Sequence, residues 1–180
     1  MLSRLEETYS LQTDKVPLII TALRVVSLPF LVYFFIQEIK ILSYAVFVFA
    51  VCTDFLDGYT AKKLGATSQF GSYFDVTADF ILVIGMFVTF FTAEIYSVWV
   101  IVLIASVFLQ FIVSNIYSKQ TIYDPIGKYY GSLMFGAVGL TLLFTEEIAY
   151  SIVTAGIAVT SVASIVSRLI HLQRLQKNKK

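Results

Sequence analysis

The chain has 180 residues, enough for one domain, of which 58% are hydrophobic and 14% charged, with a mean hydropathy of +0.81. Soluble domains run at about 45–50% apolar and about 25% charged, so a water-covered surface is excluded and a lipid-facing one expected. The formal net charge of +1 gives no reason to expect a nucleic-acid partner, and the single cysteine, Cys52, excludes an internal disulfide.

Residues 1–15 form a mixed, polar N-terminal segment without the apolar run of a signal peptide. Leu2, Leu5, Tyr9 and Leu11 make a rough apolar stripe, which predicts a short amphipathic helix on the membrane surface; a disordered lead-in fits as well. Six apolar segments follow, each near the roughly 20 residues that a bilayer crossing needs. They are Val16–Ile36, Ile41–Lys62, Phe70–Phe91, Tyr96–Tyr117, Tyr129–Phe144 and Ile148–Ile170. Short polar connectors, among them Gln37–Lys40, Thr92–Glu94 and Thr145–Glu147, separate them, and no repeat or low-complexity stretch stands out. The runs do not alternate as spanning strands do. The predicted fold is an all-α membrane bundle of six transmembrane helices over residues 16–171, closed by a basic tail at 172–180.

Lysine and arginine set the orientation. The side holding both termini and the second–third and fourth–fifth connectors carries Arg4, Lys15, Lys62, Lys63, Lys119, Lys128, Arg168, Arg174, Lys177, Lys179 and Lys180. The opposite connectors hold only Lys40, with Glu38, Glu94, Glu146 and Glu147. Both termini are therefore expected in the cytoplasm, with Trp99 and Tyr96 in an aromatic belt on the outer side. Cys52 lies in an apolar run and reads as a small core residue rather than a nucleophile.

A charge at the centre of a spanning helix costs at least about 2.5–3.5 kcal/mol on insertion scales. Four aspartates at the cytoplasmic ends of two adjacent spans therefore need a reason. Asp54 and Asp57 are three apart, and Asp75 and Asp79 four apart, so each pair shares a helical face and the short connector lets the pairs converge. Converging carboxylates repel unless protons or cations intervene, and oxygen-only ligands select hard cations, Mg2+ or Mn2+, with Ca2+ a further option. The plainer alternative is that the acids cap helices or pair with Lys62, Lys63 and Arg24. Gly58, Ala61 and Gly71 keep the neighbouring faces small, which suits a bulky ligand or close helix packing.

Residues 54–79 read Asp54, two residues, Asp57-Gly58, two residues, Ala61-Lys62, eight residues, Gly71, three residues, Asp75, three residues, Asp79. This resembles the signature of the CDP-alcohol phosphotransferase family, D-x2-D-G-x2-A-R-x8-G-x3-D-x3-D, at seven of eight fixed positions; Lys62 replaces the usual arginine. Pro17, Thr21, Arg24 and Pro29 resemble the family's first-helix pattern P-N-x-L-T-x-x-R, with Leu18 in the asparagine position. The resemblance implies that Asp54, Asp57 and Asp75 ligate metal and that Asp79 shares the metal and deprotonates the acceptor alcohol. It implies two ions, Mg2+ or Mn2+. Gly58, Ala61 and Gly71 would admit the cytidine nucleotide, with Lys62 on its phosphates. The implied reaction transfers a substituted phosphate from a CDP-linked lipid donor to a small alcohol, releasing CMP, in a homodimer among membrane lipids.

Arg24, Lys128 and Arg168 lie near cytoplasmic helix ends and suit an acceptor that already carries phosphate, such as glycerol 3-phosphate or inositol phosphate. Topology alone would also place basic residues there. Gly127-Lys128 is similar to a glycine-lysine pair of the family's phosphatidylglycerophosphate synthases. Asp75-Val-Thr-Ala-Asp79-Phe80 departs from their Asp-Pro-Leu-Ala-Asp-Lys, which leaves serine or another small alcohol open as acceptor. An ion-coupled transporter is the rival from another class, and a scaffold whose acids merely pair with lysines is a third reading.

Overall fold

The computed structural model describes residues 21–64, 69–118 and 125–177, and the side chains of 57–64, 69–73, 115–118, 125–128, 172 and 174–177 fall outside that description. The N-terminal segment 1–15, Pro17, Leu18 and Lys119 lie outside the described residues. Among the described residues every element is helical: α1 Thr21–Ile36, α2 Lys40–Leu64, α3 Gln69–Thr92, α4 Val98–Ser118, α5 Pro125–Leu143 and α6 Glu147–Lys177. Each helix falls on one of the six apolar segments. Among the described residues two stretches, within α3 and α6, have the length and hydropathy for a crossing, Phe74–Thr92 and Glu147–His171; Thr21–Ile36, Val98–Ser114 and Tyr129–Leu143 are shorter apolar helices. The described residues thus form six helices on the six expected segments, two of them of clear spanning capacity.

The turns after α1 and α3 share one local solution. Phe34-Phe35-Ile36-Gln37-Glu38-Ile39 and Phe90-Phe91-Thr92-Ala93-Glu94-Ile95 carry the same Phe-Phe-x-x-Glu-Ile pattern, a repeat too short to stand out from the apolar runs around it. In the first, the Ile39 amide donates to the Phe34 carbonyl and the Glu38 amide to the Phe35 carbonyl, both at 3.0 Å. In the second, Ile95 donates to Phe90 and Glu94 to Phe91, at 2.9 and 3.0 Å. These are Schellman caps, and they require a left-handed residue. Glutamate supplies it at φ 58° and 60°, where glycine is usual.

The chain divides into two compact units, Met1–Leu82 and Val83–Lys180. In the first, Thr21, Arg24, Ser27 and Leu31 on α1, Ser43, Phe47, Ala50 and Thr53 on α2, and Ala78 and Leu82 on α3 are buried at three- and four-residue spacing. The buried hydroxyls are satisfied within their own helices: Ser27 donates to the Arg24 carbonyl at 2.6 Å and Thr53 to that of Ala50 at 2.7 Å. Large apolar residues also face outward, among them Ile41 and Phe55. Cys52 is also exposed on α2 rather than packed in the core as expected. On a helix that is apolar all round, composition does not tell the inner face from the outer one.

In the second unit α6 packs against α4 and α5. Its buried stripe turns polar toward its C-terminal end, Val153, Ile157, Ser161, Ser164, Arg168, whereas Ile148, Ile152, Val159 and Val162 are exposed. Apolar outside and partly polar inside is the pattern for which lipid, not water, is the solvent. Tyr96 is buried rather than in an interfacial belt: its ring lies 5.4 Å from Phe87, 6.0 Å from Phe90 and 5.9 Å from Tyr150, and its hydroxyl is 2.7 Å from that of Thr141. A buried phenol needs a partner for its hydroxyl, and Thr141 supplies it. Trp99 remains exposed, as expected.

Candidate functional site

The first unit gathers its charges at one place. Asp54 comes from α2, Asp75 and Asp79 come from successive turns of α3, and Arg24 comes from α1. One carboxylate oxygen from each of the three aspartates lies within 4.8 Å of the others. Spacing accounts for this: Asp75 and Asp79 are four apart and flank buried Ala78, while Asp54 adjoins buried Thr53 on the inner face of α2.

The sequence did not show that Arg24 is the hub of the cluster. Its side chain is fully buried, whereas those of Asp54, Asp75 and Asp79 remain 39%, 36% and 22% exposed. Arg24 Nη2 lies 2.9 Å from Asp54 Oδ1, and Nη1 lies 2.9 Å from Asp75 Oδ1 and also donates to Asp79 Oδ1. A lone arginine in a first span, three residues from buried Thr21 and Ser27, was the available signal. A buried guanidinium requires counter-charges, and these acids are the ones at hand. The plainer expectation, that acids pair with cations, is thus met at Arg24 for the three described aspartates.

The donor set fits a divalent cation. Its ligands are carboxylate oxygens from two helices, and their mutual separation is on the scale of the roughly 4.2 Å between opposite oxygens around Mg2+, given Mg–O distances of about 2.1 Å. All-oxygen ligation suits hard cations and not zinc. The three carboxylates outnumber the one guanidinium among them, so the cluster keeps an excess of negative charge.

The other expected residues distribute as follows. Asp57, Gly58, Ala61 and Lys62 lie in the last turns of α2 and Gly71 in the first turn of α3, with side chains outside the description. Lys128 lies in the first turn of α5, likewise. Arg168 is buried on α6 in the second unit, its guanidinium 4.7 Å from the centre of the Phe111 ring, which is cation–π geometry. Nearby, Gln110 donates to the Ile165 carbonyl at 3.3 Å, and the Tyr130 and Ser161 hydroxyls pair at 2.8 Å.

Known proteins similar to this chain share one family. A family model described as CDP-alcohol phosphatidyltransferase matches residues 14–170. A CDP-diacylglycerol--glycerol-3-phosphate 3-phosphatidyltransferase of Aquifex aeolicus is 26% identical over 159 residues, covering 87% of this chain and 89% of its own length. The protein of the same name from Haemophilus influenzae is 36% identical over 76 residues, 41% of each chain. That from Yersinia enterocolitica is 34% identical over 106 residues, 56% of this chain and 57% of its own. The match thus spans about two-fifths of the Haemophilus relative's length and nearly all of the Aquifex one's. With the family model extending over most of the sequence and Asp54, Asp75 and Asp79 of its signature converging, the chain belongs to the CDP-alcohol phosphatidyltransferases, membrane-associated enzymes of phospholipid synthesis that use a divalent metal held by aspartates.

Proposed function

We propose that this protein transfers the phosphatidyl group of CDP-diacylglycerol to a hydroxyl of glycerol 3-phosphate, releasing CMP. The convergence of Asp54, Asp75 and Asp79 around Arg24 carries the reading, and the shared name of the similar proteins supplies donor and acceptor. The domain covers residues 16–171 as six spans, with segment 1–15 and tail 172–180 in the cytoplasm and the aspartates at that face. The positive-inside distribution supports this topology. So does the need of a lipid donor to keep its tails in the bilayer while its nucleotide head meets water. Homodimeric assembly belongs to the same reading.

In this scheme Asp54, Asp57, Asp75 and Asp79 hold two divalent cations, Mg2+ or Mn2+. When bound, these supply charge neutralisation for the diphosphate and for the departing CMP. Asp79, the least exposed of the three described carboxylates, accepts the proton of the attacking hydroxyl. A new bond forms from that oxygen to the phosphatidyl phosphorus, and the bond from that phosphorus to the CMP oxygen breaks. Gly58, Ala61 and Gly71 leave room for the nucleotide, and Lys62 meets its phosphates as a point charge where arginine would offer two parallel hydrogen bonds. Lys128 and Arg168 are the basic residues proposed for the acceptor's phosphate, whereas Arg24, expected there from the sequence, is fully buried and paired with the aspartates.

The test supplies purified protein with CDP-diacylglycerol, Mn2+ or Mg2+, and glycerol 3-phosphate, inositol phosphate, serine or glycerol in turn. CMP release and a phosphatidylglycerophosphate product with glycerol 3-phosphate are expected. CMP release with another acceptor alone overturns the acceptor assignment, and none with any acceptor overturns the whole reading.

A further inference from the structure

Three features of Arg24 distinguish it from a plain structural ion pair. It is fully buried while its partners remain partly exposed, so the acids open outward and the cation lies behind and between them. Its hydrogen bonds to the cluster come from one nitrogen, Nη1, to Asp75 and Asp79. Nη2 approaches Asp54 at 2.9 Å without hydrogen-bond alignment, and among the described residues neither Nη2 nor Nε has a hydrogen-bond acceptor. Buried donors left unmatched are costly, and a guanidinium has five to place. A side chain selected only to lock three helices together would be better satisfied. The oxygens it touches are also the cluster's candidate metal ligands.

We infer that Arg24 is a displaceable internal cation: it holds the carboxylates of Asp54, Asp75 and Asp79 together before metal binds and competes with metal for them, so it sets the metal affinity of the site. The inference rests on the proposed metal-dependent function and deepens it. The charges give the direction. Against three carboxylates one guanidinium leaves the site negative and attractive to divalent cations; once two such ions enter, the local charge reverses and the guanidinium is repelled, first from Asp54, whose contact is not aligned as a hydrogen bond. A stabilising partner in the metal-free state is by linkage an inhibitor of metal binding. Arg24 is in this sense a positioning residue, acting through the aspartates.

The test compares the full-length wild type with Arg24→Gln and Arg24→Lys in detergent. One measurement is the melting temperature in EDTA; the other is the Mn2+ dissociation constant, from the electron paramagnetic resonance signal of the free ion. Arg24→Gln is expected to melt several degrees lower in EDTA, on the order expected for loss of a buried partner. It is expected to bind Mn2+ about tenfold more tightly or better, because a competitor has been removed. Arg24→Lys restores charge but reaches fewer oxygens at once, and its affinity falls between the two. A merely structural arginine would lower stability without tightening Mn2+ binding. Mn2+ binding by Arg24→Gln that is equal to or weaker than wild type overturns the inference. Should that variant not fold, Arg24→Lys decides: a dissociation constant at or above wild type overturns it. If the wild type binds Mn2+ and releases CMP but the variants bind no tighter, this inference alone fails. If the wild type does neither, the proposed function fails with it.

Discussion

The two units of the chain handle buried polarity in opposite ways. In the first, Arg24 and the three aspartates concentrate full charges, with more acid than base and with guanidinium donors left over. In the second, apart from buried Arg168 over the Phe111 ring, the polar contacts are between neutral groups, as in Tyr130 with Ser161 and in Tyr96 with Thr141, the Tyr96 ring lying among those of Phe87, Phe90 and Tyr150. Neutral pairs of this kind stabilise modestly and ask for nothing further. An over-acidic cluster is poorly stabilised on its own and gains from a ligand. The first pattern marks a place kept for chemistry, and the second a place that holds helices together.

Substitutions should separate the two. Asp79→Asn is expected to lower CMP release about 10²–10⁴-fold, the range for loss of a positioned base. Its melting temperature in EDTA should stay level or rise, because one of three mutually repelling acids is gone; a large fall would make Asp79 structural. In the second unit Phe87→Ala should cost about 3–5 kcal/mol of stability by opening a gap among Phe90 and Tyr96. Activity per folded molecule should be retained, so thermal melts and CMP release on the same sample check the contrast. Tyr96→Phe is a smaller perturbation of about 1 kcal/mol, since the Thr141 hydroxyl keeps its 2.8 Å bond to the Ala137 carbonyl. The smallest effect is expected at the caps. Glu38→Gly or Glu94→Gly removes the penalty of a side chain at positive φ and should raise stability by up to about 1 kcal/mol, read as a higher melting temperature with turnover unchanged.

The helices were legible because their apolar runs are long and their punctuation polar, and the aspartate motif was legible because charge in such runs is costly. Family membership then favours the enzyme over the transporter reading. What the sequence concealed was mainly which side of each helix faces inward. Cys52 and Tyr96 depart from expectation for this reason: in lipid, apolar residues cover both faces, so hydrophobicity does not mark the core, and a tyrosine near a helix end suits either belt or interior. Arg24 was noticed as a partner for acids and as an acceptor contact, but its contact with three carboxylates at once depends on how α1 meets α2 and α3, which no local pattern encodes. The twin caps were hidden because glutamate is an uncommon choice for a left-handed residue.

The central claim is that the aspartate cluster works through divalent metal. It is tested most directly by following CMP release from CDP-diacylglycerol and glycerol 3-phosphate as Mn2+ or Mg2+ is titrated into EDTA-stripped protein. The account predicts no release without metal and a saturable return on adding either ion, with Asp79→Asn about 10²–10⁴-fold slower at every concentration. Release that persists undiminished in EDTA, or that Asp79→Asn supports at the wild-type rate, would contradict it.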